Sequence, residues 1–98
     1  MTSVYETEVL SGARRCLEGI ARDARFGYSK WRKELVRSVA AGLPGACNLE
    51  SLSGLVWDLL RQLGRLEASA QIRSTERRLK DVLRALESAG SRRTSLEP

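Results

Sequence analysis

Between residues 49 and 66 the apolar side chains recur at helical spacing. Leu49, Leu52, Leu55, Val56, Trp57, Leu59, Leu60, Leu63 and Leu66 share one side of a wheel drawn at 100° per residue. Apart from Trp57 at its edge, the stripe spans about 140°, wider than a single neighbouring helix covers. A helix of this kind needs partners on more than one side, supplied by the same chain or by a second one. Leu55, Trp57, Leu59, Leu60 and Leu63 are therefore the candidate residues for an interface with another chain.

The rest of the chain follows the same period, and no stretch alternates apolar and polar over the length of a strand. The spacing predicts an all-α bundle of four helices at about 3–25, 30–41, 48–70 and 75–89. In the first, Val9, Leu10, Ala13, Cys16, Leu17, Ile20, Ala21 and Ala24 share a face, and Gly27 is the expected left-handed stop. In the second, Ser29 caps a helix with Trp31, Leu35, Val36 and Val39 on its inner side, closed by Leu43-Pro44-Gly45. Asn48 caps the third. The apolar register slips between Ala70 and Ile72, so a turn is expected near 69–74, with one continuous long helix as the alternative. Residues 1–90 read as one helical domain and 91–98 as a frayed basic tail.

Inventory excludes most chemistry. With 98 residues and no histidine, the chain offers no Ser-His, Cys-His or histidine–metal arrangement. Cys16 and Cys47 are too isolated for a zinc site. They read as small buried hydrophobes, with a Cys16–Cys47 disulfide as the alternative. No glycine pattern matches a phosphate-binding loop. The expectation is a non-enzyme with no cofactor and no metal. No apolar run reaches the roughly 18 residues needed to span a bilayer, and the N-terminal residues lack signal-peptide character, which reads as cytoplasmic. Few asparagines and glutamines, with one methionine, fit a thermophile.

Charge is the informative property. The formal net charge is +5, with 17 cations against 12 acids, and such a balance favours a polyanionic partner. The excess sits in two blocks. Residues 14–37 hold eight cations against three acids, and residues 73–98 hold seven against four. Within the first block Lys30, Lys33 and Arg37 recur on one helical face. Within the second, Arg73, Arg77, Lys80 and Arg84 form a stripe roughly 16 Å long at 1.5 Å per residue. Cations repeating once per turn suit successive phosphates along a strand. The competing interpretation is an ordinary solvated face, in which Glu34, Glu76, Asp81 and Glu87 pair with them along the helix.

Residues 22–33 interleave Phe26, Tyr28 and Trp31 with Arg22, Arg25, Lys30, Arg32 and Lys33 around an interhelical turn. Exposed rings beside arginines can stack on unpaired bases. Trp31 reads as a core residue and Tyr28 as the ring left in solvent.

Size, helical class and charge resemble the small all-helical subunits of CRISPR ribonucleoprotein effector complexes. That likeness lies in composition and architecture, no residue pattern carries it, and no residue role follows from it. The expected function is non-catalytic binding of an RNA or DNA backbone, as a homo-oligomer or a subunit of a larger nucleoprotein complex and away from membranes. The candidate contacts are Arg22, Arg25, Tyr28, Lys30, Lys33, Arg37, Arg73, Arg77, Lys80 and Arg84. The alternative is a protein–protein adaptor or oligomerisation module that uses the leucines of the third helix.

Overall fold

The 3.6-residue periodicity resolves into four helices in a computed structural model that describes residues 4–96, with side-chain surroundings through residue 90. They are α1 (Val4–Ala24), α2 (Lys30–Gly42), α3 (Leu49–Gly64) and α4 (Ala70–Leu96), with a 3₁₀ turn at Leu43–Gly45. No strand occurs among the described residues. α1 packs on α2 and α4, and α3 packs on the same two, while α1 and α3 also touch across the middle. This leaves α2 and α4 on opposite flanks of a flattened bundle measuring 49 × 23 × 15 Å.

The core is built mainly from leucine. Leu17, Leu35, Leu52, Leu59, Leu63, Leu79, Leu86 and Val56 are the largest fully buried side chains. Each contributes about 1.5–3 kcal/mol by leaving water. The wide stripe of α3 is thus covered from within the chain. Leu59, Leu60 and Leu63, assigned above to a second chain, lie in the core at 1%, 9% and 1% exposure. Leu55 is half-buried and packs against Gly42, where an added Cβ would meet its methyl groups. Of the five candidate interface residues, Trp57 alone is exposed, at 46%.

Local capping sets the boundaries. Asn48 and Ser51 form a reciprocal capping box: Asn48 Oδ1 accepts from Ser51 N at 2.8 Å, and Ser51 Oγ accepts from Asn48 N at 3.1 Å. The turn between α3 and α4 lies at 65–69, earlier than the apolar register suggested. Ser69 Oγ accepts from Ile72 N at 3.2 Å, so a serine cap starts α4. Leu66, read as part of the α3 stripe, falls in that turn and is 37% exposed. No described glycine has a positive φ, so Gly27 does not end α1 by a left-handed turn. It ends where Gly27 N donates to Ala24 O at 3.1 Å, and the glycine serves to leave space. α4 continues through Gly90 to Leu96. No proline interrupts it before Pro98, and the expected frayed tail is helical up to Leu96. Residues 97–98 lie outside the described residues.

Arg14 joins the first half of the fold. Its Nη1 donates to Leu43 O at 2.9 Å and to Ala46 O at 2.7 Å. One guanidinium thereby supplies a donor to Ala46 O after the 3₁₀ turn and a second one to Leu43 O, which also accepts from Ala46 N at 3.1 Å. Cys16 and Cys47 are both exposed and unbonded. Neither the buried nor the disulfide reading of them holds. Cys16 lies on the solvent side of the α1 stripe, and Cys47 in the loop before α3.

This packing predicts a sharp contrast within α3. Leu59→Ala and Leu63→Ala should each lower unfolding free energy in urea by about 2–5 kcal/mol. Trp57→Ala and Leu66→Ala should cost about 1 kcal/mol or less. Equal losses at all four positions would contradict the internal core.

Candidate nucleic-acid interface

Two basic surfaces emerge, and the fold keeps them apart. The first follows α1 and α2. Arg22 and Arg25, with Glu18 beside them, line a groove of about 280 Å³ whose other wall includes Val36, Val39 and Ala40. Lys30, Lys33 and Arg37 are exposed on the outer side of α2. The second is the outer face of α4, where Arg73, Arg77, Lys80 and Arg84 are all exposed. Val82 and Ala85 face a groove shared with α1, which leaves this cationic stripe directed away from α1. α2 and α4 make little contact with each other, so their cationic stripes form separate faces, although the first turns of both helices line one cleft at the end of the bundle.

Ion pairing shows how far the interleaved acids neutralise these faces. Lys30 meets Glu34 at 4.0 Å, and Arg84 meets Asp81 at 3.7 Å. Both pairs are exposed and worth little. Arg22, Arg25, Lys33, Arg37, Arg73, Arg77 and Lys80 form no salt bridge among the described residues. The interleaved acids therefore neutralise only two of the nine candidate cations. Arg78, which was not singled out from the sequence, is engaged instead in a 2.8 Å bridge to Asp23 that ties α4 to the end of α1. Its spacing on the wheel places it beside the core, apart from the stripe.

The aromatic turn is more exposed than its composition suggested. Tyr28 is 92% exposed, as expected, and Phe26 is 83% exposed. Trp31 packs against the core, also as expected. Arg32 stacks over its ring with the guanidinium carbon 5.1 Å from the centroid.

Among the described residues no group of three or more acids and cysteines is placed to hold a metal ion. No helix is long and apolar enough to cross a membrane. Comparison with known proteins matched no family model, no curated protein and no solved structure. The two surfaces are accordingly interpreted from their own chemistry.

The separation of charge from core has a direct consequence. Replacing Arg73, Arg77, Lys80 and Arg84 together by Gln should shift unfolding free energy by no more than about 1 kcal/mol, because the one ion pair lost is exposed. Arg14→Met should cost about 1–3 kcal/mol, chiefly by removing the donor to Ala46 O, since Leu43 O keeps the backbone N–H of Ala46. A collapse of stability in the fourfold variant would mean that the stripe is structural.

Proposed function

We propose that this chain is a non-catalytic nucleic-acid-binding protein that grips the phosphate backbone with arginine and lysine on two opposite flanks, as a subunit of a larger nucleoprotein assembly. The observation that carries the reading is the set of seven exposed cations without an acidic partner among the described residues, five of them spaced about once per turn along α2 and α4 and two, Arg22 and Arg25, at the end of α1. Arginine predominates fourteen to three, and its planar fork matches phosphate geometry with two parallel hydrogen bonds. Binding would be driven by release of condensed counterions, with no base readout along either flank. Two flanks suit a subunit that sits between strands, or between one strand and an acidic neighbour.

A protein-binding role has one specific observation in its favour. A groove of about 610 Å³ runs between α1 and α4, lined by Val9, Ala13, Cys16, Val82 and Ala85. This groove, and not the buried leucines of α3, is where an adaptor would receive a partner helix.

The test is the salt dependence of binding. At about 50 mM salt the protein should bind generic RNA or DNA, with log affinity falling linearly against log salt at a slope of roughly −0.7 to −0.9 per phosphate contacted. The fourfold α4 Gln variant should flatten that slope by about one unit for each contact removed. Absence of binding at that salt, or an unchanged slope in the variant, would contradict the reading and favour the adaptor role.

A further inference from the structure

At one end of the bundle the last turn of α1 and the first turns of α2 and α4 line an open cleft of about 370 Å³. Phe26, Trp31 and Arg32 form one side, and Gln71, Ser74 and Arg78 belong to the α4 side. The volume falls within the roughly 300–1,000 Å³ typical of small-ligand sites.

Arg32 is held in place there. Its guanidinium lies over Trp31 at 5.1 Å, and its side chain fills the space that a Cβ on Gly27 would need. Among the described residues it has no carboxylate partner, because Asp23, which also lines the cleft, is taken by Arg78 at 2.8 Å. Phe26 stands 83% exposed beside it. A guanidinium stacked on Trp31 and an open phenyl ring thus border a cleft whose α4 side carries an amide and a hydroxyl.

We propose that this cleft is a socket for one unpaired nucleobase of a single-stranded nucleic acid. The base stacks on the Phe26 ring and the Arg32 plane, with its polar edge toward Gln71 and Ser74. Stacking on aromatic rings and on arginine planes is how proteins hold splayed bases, and it tolerates any sequence because every base has a π-face. Arg25 and Lys30, flanking the same turn, take the adjoining phosphates. A duplex offers no free base and gains nothing from the socket. This inference rests on the nucleic-acid reading above and adds to it a preference for unpaired strands.

In a Trp57→Phe background Trp31 is the sole tryptophan, so its fluorescence reports on the socket. Oligo-dT, oligo-U and a duplex of equal length are titrated at about 50 mM salt. Both single strands should quench Trp31 and bind about tenfold more tightly than the duplex, as expected from one stacked base. Phe26→Ala and Gly27→Ala should each weaken single-strand binding by about tenfold. Neither removes a charge, so the salt slope and duplex affinity should stay as in the parent. Phe26 is exposed, so its variant keeps the test intact if Gly27→Ala perturbs the turn. Salt-sensitive binding with no single-strand preference, an unquenched Trp31 or wild-type affinity in both variants would overturn the socket and leave the backbone reading standing. No binding to any of the three would overturn both.

Discussion

The burial of the α3 leucine stripe is the constraint on which the rest of the molecule depends. Leu52, Val56, Leu59 and Leu63 are almost without solvent contact, and a stripe of that width requires helices on both sides. α2 and α4 provide them, while α1 closes the layer by touching all three. Because α2 and α4 both flank α3, they stand on opposite edges of the bundle. Their outer faces have no neighbour within the chain, and those are the faces that carry the lysines and arginines. The same packing that stabilises the core therefore also determines where the charge is displayed.

Hydrogen bonding and ion pairing divide the cations into two groups with different work. Arg14 and Arg78 hold the fold together, the first by capping the end of α2 and the second by bridging α4 to Asp23. The cations on the flanks add little to stability and repel one another along each helix. Placing like charges at one-turn intervals has a cost, so a surface of this kind is most easily understood as serving a partner of opposite charge. The exposed rings of Phe26 and Tyr28 point the same way, since water solvates an open phenylalanine poorly.

Much of this was legible in the sequence. Helical periodicity specified the fold class and the number of helices. Ser29 and Asn48 marked two starts to the residue, although only Asn48 caps with its side chain, and Ser29 makes no side-chain capping bond. The α3–α4 turn was harder to place. Its signals were Gly64 and the serine cap at Ser69, whereas the register slip on which the turn was first placed lies inside α4. The fate of Leu59, Leu60 and Leu63 was not legible. A helical wheel gives the width of a stripe and does not say whether it is covered by the same chain or another. Phe26 and Cys16 show a related limit, because residues at a helix corner or a stripe edge turn inward or outward according to the crossing of neighbouring helices. Arg32 over Trp31 was hidden for a different reason: it depends on the absent side chain of Gly27, a contact defined by empty space.

The central claim is that binding is carried by two charged flanks of a closed core. Chemical-shift mapping of the ¹⁵N-labelled protein during titration with a single-stranded oligonucleotide tests it most directly. The account predicts shifts concentrated at residues 22–37 and 73–84, with the amides of α3 nearly still. Shifts centred on α3, or confined to the groove between α1 and α4, would contradict it.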